Sequence, residues 1–337
     1  MRKTIALLIG AATAALLLAA CGAKRDQIQP IAGRAQNVTM MLDWLPNADH
    51  VGIYEAIANG DLKDAGINLH VETPPSPNAP LSLLEAGKVN VAISYEPEVM
   101  LARDQKQTIL SFAALVQRPL TSVISIGSKH IKSISQLRGK TVGTAGIPYQ
   151  TAYLNTMLDH AGVPRSSVKQ VDVGSNLVPE MISGRVDATI GGYWNYEAIE
   201  LRQAHKKPNA IPVSAGGVPS YDELVLTTTE KYFENHVTLL RGLVQALGRG
   251  YAAVRANPQQ GIDALDSANP SLNPTLQAAA VRATLPAFFP ADDKPWGWQF
   301  SNQWNDYGKW MYDHHLIKHL AARDYASTNQ LLAGQGP

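Results

Sequence analysis

The chain has 337 residues, 45% of them apolar and 17% charged, with 29 basic and 28 acidic side chains and a net charge of +1. That size builds about two domains, each able to bury its own core, and the balanced charge excludes a basic nucleic-acid-binding face. The single cysteine, Cys21, excludes an intrachain disulfide and a thiolate metal cluster.

Arg2 and Lys3 precede an apolar run from Ile5 to Ala20, broken only by Gly10 and Thr13. The run is too short and Ala-rich to read as a spanning helix, so residues 1–20 are expected to be a signal peptide. It ends in Leu18-Ala19-Ala20-Cys21-Gly22, which resembles the bacterial lipobox. The resemblance implies cleavage before Cys21 and lipid attachment there. The alternative is an ordinary signal peptide with an incidental cysteine. Residues 21–35, polar and small with Pro30 and Gly33, then read as a lipidated tether. Several acyl chains make a lasting anchor at about 0.8 kcal/mol per buried CH₂. The implied address is the extracytoplasmic face of a bacterial cell envelope, with the choice between inner and outer membrane left open.

Beyond the tether, short apolar runs alternate with amphipathic stretches. Val38–Met41 reads as a strand, Ala48–Asn59 as a helix closed by Gly60, and Asn68–Glu72 as a strand. Pro80–Ala86 reads as a helix with proline in its first turn, followed by strand Val89–Ser94 and helix Pro97–Asp104. A second round follows: strand Ser122–Ile126, strand Thr141–Gly143, helix Gln150–His160, strand Lys169–Val173, helix Leu177–Ser183, strand Ala188–Gly191 and helix Trp194–His205. Beyond Glu230 the chain is mostly helical, with Leu239, Leu240, Leu243, Leu247 and Val254 at helical spacing. The β-α-β-α order predicts an α/β protein with mixed sheets flanked by helices.

One segment echoes another. Gly87-Lys88-Val89-Asn90-Val91-Ala92-Ile93 matches Gly184-Arg185-Val186-Asp187-Ala188-Thr189-Ile190. Each follows a short helix and runs through a strand into an aromatic and a new helix. Two copies of one unit predict two similar lobes. Ligands of such sheets bind outside the carboxyl ends of the strands, which places Tyr95, Glu96, Tyr193 and Trp194 at the facing edges of a cleft.

Three features together resemble the type II periplasmic solute-binding proteins: the Leu42-Asp43-Trp44-Leu45-Pro46-Asn47-Ala48-Asp49-His50-Val51-Gly52-Ile53-Tyr54-Glu55-Ala56 stretch, the duplicated Gly-basic-Val-Asn/Asp element, and Leu137-Arg138-Gly139-Lys140-Thr141-Val142-Gly143. The first is most similar to the branch holding the fungal thiamine-pyrimidine synthase and binders of thiamine pyrimidine precursors. The resemblance implies a two-lobe fold with a two-strand hinge. Residues 36–119 plus 225–337 are expected to form one lobe and residues 120–224 the other.

Pro46 pushes Leu45 toward extended backbone and leaves Trp44 in the loop above a strand end. Its indole offers a flat face to a heteroaromatic ring, with Asp43, Asn47 and His50 beside it; packing within the lobe is the alternative. Tyr193-Trp194-Asn195-Tyr196-Glu197 forms the opposing cluster, with one or two of its three aromatics expected to face the cleft and Glu197 inside the first helical turn. Glu197 and Glu96 serve either as acceptors for an aminopyrimidine or as favourable charges at helix starts. Tyr149 follows a small-residue loop, Gly143 to Pro148, and Tyr221 sits at the return crossing, as a pocket closer or as plain hinge.

The resulting expectation is a binder, not an enzyme. It captures a small heteroaromatic solute, such as a pyrimidine precursor of thiamine, for an ABC permease and its ATPase. It is expected to act as a monomer without cofactor, metal or nucleic acid. His314, His315 and His319 read as surface residues rather than a metal site. A sulfonate, nitrate or flavin-like ligand is the alternative on the same fold. The synthase alternative needs a cysteine cluster at the return crossing and a histidine after the first-lobe strand, as that family's pattern implies. Here those places read Tyr221-Asp222-Glu223-Leu224-Val225 and Tyr95-Glu96-Pro97.

Overall fold

A computed structural model describes residues 35–323 and 325–335. The expected signal peptide and the lipidated Cys21 lie outside the described residues. The described residues begin with β1 (Gln36–Met41), α1 (Val51–Ala58), α2 (Asp61–Asp64), β2 (Ile67–Glu72), α3 (Pro80–Glu85), β3 (Val91–Ser94), α4 (Glu96–Asp104) and β4 (Ile109–Val116). It crosses into β5 (Thr121–Ser125), β6 (Thr141–Thr144), α5 (Gln150–His160), β7 (Lys169–Asp172), α6 (Leu177–Ser183), β8 (Ala188–Tyr193), α7 (Glu197–Gln203) and β9 (Asn209–Pro212). It returns through β10 (Leu224–Thr229) and ends in α8 (Glu230–Asn235), α9 (Val237–Ala256), α10 (Pro258–Ala268), α11 (Pro274–Thr284) and α12 (Ser301–Asp313).

The strands form two five-stranded mixed sheets, ordered β2-β1-β3-β10-β4 and β7-β6-β8-β5-β9. The sequence echo has a direct structural counterpart. β3 is central, parallel to β1 and antiparallel to β10; β8 is central, parallel to β6 and antiparallel to β5. Both hand the chain to a helix at their carboxyl ends, where Tyr95 and Tyr193 stand.

Strands β4 and β9 and the start of α7 escape the sequence reading, and β10 enters it only as one of the two hinge strands that the resemblance implies. All eight residues of β4, Ile-Leu-Ser-Phe-Ala-Ala-Leu-Val, are buried. A continuous apolar run carries no period-two signal, so strand and buried helix read alike. β4 ends its sheet, but the C-terminal segment covers its free edge: Ser111 N–H donates to Ala326 O at 2.8 Å and Thr328 N–H to Ser111 O at 2.9 Å. Ala114 N–H is likewise met by Gly297 O. Pairing of this kind removes an exposed sheet edge. β9 was also unmarked; it is short and only half-buried. Finally, the expected helix Trp194–His205 begins only at Glu197. Tyr196, at φ −123° and ψ −77°, lies outside helical backbone.

Helices α1 and α9 cross at very short range in the first lobe. A Cβ on Gly250 would stand 2.2 Å from Gly52 O, and one on Gly52 would stand 2.3 Å from the Tyr251 ring. The approach anchors the long α9, whose Leu239, Leu240, Leu243, Leu247 and Val254 are buried.

The chain crosses between the sheets twice, and one carboxylate ties the crossings together. Glu223, fully buried, accepts from Leu120 N–H (2.6 Å), Thr121 N–H (2.8 Å), the Thr121 hydroxyl (2.8 Å) and the Tyr221 hydroxyl (3.0 Å). Burial pushes its carboxyl upward, and these donors oppose that shift. Removing the acceptor strands two buried backbone N–H groups, each worth about 1–3 kcal/mol. Glu223→Ala is expected to lower the unfolding free energy by about 3 kcal/mol, measured by urea denaturation.

Candidate functional site

The cavity lies between the carboxyl ends of the two sheets. From the first lobe it is lined by Asp43, Trp44, Asn47 and Tyr95. From the second come Thr121, Ala145, Ile147, Tyr149, Gln150, Leu177, Gly191, Tyr193, Tyr196 and Glu197. The structure brings Asp43, Trp44, Asn47, Tyr95, Tyr149, Tyr193 and Glu197 together around one cavity.

The first-lobe wall is built by the turn after β1. Asn47 Oδ1 accepts from Asp49 N–H at 2.8 Å, and its Nδ2 donates to Leu45 O at 3.1 Å. Asn47 N–H donates to His50 Nδ1 at 3.2 Å. A ring nitrogen that accepts carries no proton, so the proton of the neutral imidazole sits on Nε2. Nε2–H then donates to Asp43 Oδ1 at 2.8 Å, while the Tyr95 hydroxyl donates to Oδ2 at 2.9 Å. Asp43 is thus held from two sides, and the turn leaves the half-buried Trp44 against the cavity.

The second-lobe wall is aromatic. Tyr149 is fully buried and meets Tyr95 across the lobes edge-on, with ring centroids 6.1 Å apart. Such pairs prefer tilted geometry because ring faces are negative and edges positive. The stack continues away from the cavity through Tyr153, Tyr221 and Tyr307, with centroids 5.0–5.5 Å apart. Glu197 accepts from Tyr193 N–H at 2.7 Å. Burial raises its pKa to about 7, against that hydrogen bond.

Several expected contacts fall outside the cavity wall, each for a definite reason. His50 is fully buried beneath Asp43 and positions it. Trp194 turns toward the hinge, where its indole N–H donates to Pro119 O at 3.2 Å; the late start of α7 sends Tyr196 into the cavity instead. Glu96 accepts from Asp222 N–H at 2.7 Å behind the wall. Tyr221 is spent on Glu223. Asn195 reaches across the cleft, donating to Asp49 Oδ1 at 2.8 Å and to the Thr284 hydroxyl at 2.6 Å. Gln277 on α11 donates to the Tyr196 hydroxyl at 2.9 Å, a second tie between the lobes. Ala145 and Ile147 belong to the small-residue loop before Tyr149, and Tyr196 to the aromatic cluster, both already marked in the sequence. Thr121, Gln150, Leu177 and Gly191 carry no such mark: three are small or apolar and look like core, and Gln150 reads as an ordinary helix-starting residue.

This architecture is the type II periplasmic binding protein fold. The alkanesulfonate-binding protein of Xanthomonas axonopodis pv. citri superposes with a TM-score of 0.69 at 12% identity, covering 88% of this chain and 99% of that one. The ligand-binding component of an ABC-type import system from Staphylococcus aureus gives 0.65 at 11%, covering 84% and 93%. Residues 47–261 match the NMT1/THI5-like family, and the chain belongs to it. A formylaminopyrimidine-binding protein of Halalkalibacterium halodurans is 33% identical over 288 residues, 84% of this chain and 87% of that protein. A 4-amino-5-hydroxymethyl-2-methylpyrimidine phosphate synthase of Legionella pneumophila is 24% identical over 254 residues, 74% of this chain and 79% of that protein.

Burial also pushes Asp49 and Asp222 up to about 7. A buried carboxyl with a raised pKa keeps a proton that the unfolded chain releases, so it favours folding at low pH and loses that advantage as pH rises through 7. Unfolding free energy in urea is expected to be higher at pH 5 than at pH 8, falling by about 1 kcal/mol per pH unit for each such group. Asp49→Asn should flatten the profile.

Proposed function

We propose that this protein is the extracytoplasmic solute-binding component of an ABC importer and captures a pyrimidine precursor of thiamine, with formylaminopyrimidine as its reference ligand. The observation that carries this reading is the cavity wall itself: Trp44 from one lobe and Tyr193 and Tyr196 from the other line a single cavity together with Asp43 and Glu197. Flat aromatic faces hold a planar ring by burial and stacking. A carboxyl titrating near 7 accepts from an exocyclic amino group and, when protonated, donates to the adjacent ring nitrogen. None of the described lining residues is arginine or lysine, which disfavours a sulfonate or nitrate, whose charge calls for such partners. The kinship to the formylaminopyrimidine-binding protein supports the same ligand.

Capture rather than synthesis fits the chain's own residues. The return crossing, Tyr221-Asp222-Glu223, is occupied by hydrogen bonds that hold the hinge and bears no thiol. In this reading Cys21 carries the lipid anchor, the lobes part and close about the two crossings, and the closed monomer docks on a permease with both lobes.

Trp44→Ala is expected to weaken formylaminopyrimidine binding by about 2 kcal/mol, roughly thirtyfold, in titration calorimetry; unchanged affinity rejects the stacking role. Cys21→Ala is expected to move the protein from the membrane fraction to the soluble envelope fraction. Continued membrane retention contradicts the anchor.

A further inference from the structure

Gln150 opens α5 at the cavity wall, and its amide has a fixed orientation. Oε1 accepts from Ala145 N–H at 2.8 Å. A backbone N–H only donates, so this bond sets the oxygen toward Ala145 and the NH₂ on the other side. Gln150 is 2% exposed, and among the described residues no acceptor is hydrogen-bonded to Nε2. The absence of a Cβ at Gly191 makes room for that NH₂. Gly191 lines the same cavity at φ +106°, and a Cβ there would stand 2.2 Å from Gln150 Nε2. Only glycine adopts such backbone readily, and only glycine leaves the space. Nε2 has no protein acceptor and is not among the side-chain atoms sealed off without a partner, so this donor stays open to an acceptor brought into the cavity.

We propose that Gln150, seated over Gly191, is the specificity-determining donor of the cavity: its Nε2–H reads a neutral hydrogen-bond acceptor on the ligand. The inference rests on the binding reading above and deepens it. The cavity then has two unlike edges. Glu197 meets donors and Gln150 meets an acceptor, so a ring bearing both is selected over one that turns a donor or a cation toward Gln150. On a formylated aminopyrimidine the acceptor is either a ring nitrogen or the formyl oxygen.

The test is titration calorimetry of the purified wild type and Gln150→Glu. The substitution keeps the acceptor for Ala145 N–H and replaces the donor by an acceptor. Three probes are used: formylaminopyrimidine, its deformylated amine, which lacks the formyl oxygen, and N-benzylformamide, which lacks the ring nitrogens. Gln150→Glu should bind formylaminopyrimidine at least tenfold more weakly. A matching loss for the amine, but not for N-benzylformamide, assigns the acceptor to the ring. A matching loss for N-benzylformamide, with the amine unchanged or tighter, assigns it to the formyl group. Gln150→Met, which removes the donor without adding charge, should reproduce the pattern. Unchanged affinity for formylaminopyrimidine, or the same loss for all three probes, overturns the proposal. Wild-type protein that binds neither pyrimidine overturns the ligand reading instead.

Discussion

The hydroxyls of Thr121 and Tyr221 and the backbone N–H groups of Leu120 and Thr121 all converge on the Glu223 carboxylate. This one group joins the outgoing crossing to the returning one. Each sheet is otherwise complete in itself, with its own order of strands. The relative placement of the two strand-end surfaces, and so the width of the gap between Trp44 and the tyrosines, depends on these crossings. Next to them, Glu96 and Asp222 form a second buried pair, with Asp222 also receiving the Trp304 indole N–H at 2.9 Å. Burial drives both carboxyls upward. The hinge is therefore built from specific hydrogen bonds, which retain a fixed geometry where apolar packing would tolerate sliding.

The cleft shows the same economy of polar groups. Asp43 spends both oxygens on His50 and Tyr95, and Asn47 spends its side chain on its own turn. These residues shape the wall and hold Trp44. Glu197 and Gln150 are different, since each has one end fixed by a backbone N–H and the other end near the cavity. Both lobes supply aromatic surface while the open polar ends come from the second, so neither lobe alone makes the complete site. Asn195 and Tyr196 join the lobes through the buried Asp49, Thr284 and Gln277.

Much of this was legible in the sequence because it was local or repeated. The Gly-basic-Val-Asn/Asp echo located β3 and β8, and their strand ends located Tyr95 and Tyr193. Pro46 marked the turn that carries Trp44. Contacts made across long sequence distances were not legible. Asn195 looked like a ligand contact until its partners, Asp49 and Thr284, came from far along the chain. Trp194 and Tyr196 exchanged roles because helix α7 starts later than periodicity indicates. β4 is hidden because seven of its eight residues are apolar and all eight are buried, which reports burial but not conformation. Gln150 was passed over because nothing local says that a helix-starting glutamine lies opposite a glycine in another strand.

The central claim is a ring held between the lobes, and a crystal structure of the protein grown with formylaminopyrimidine tests it most directly. The account predicts the pyrimidine between the Trp44 indole and the Tyr193 ring, with its amino edge at Glu197. Density for the ligand elsewhere, or a ring in the cleft that leaves Trp44 untouched, contradicts it.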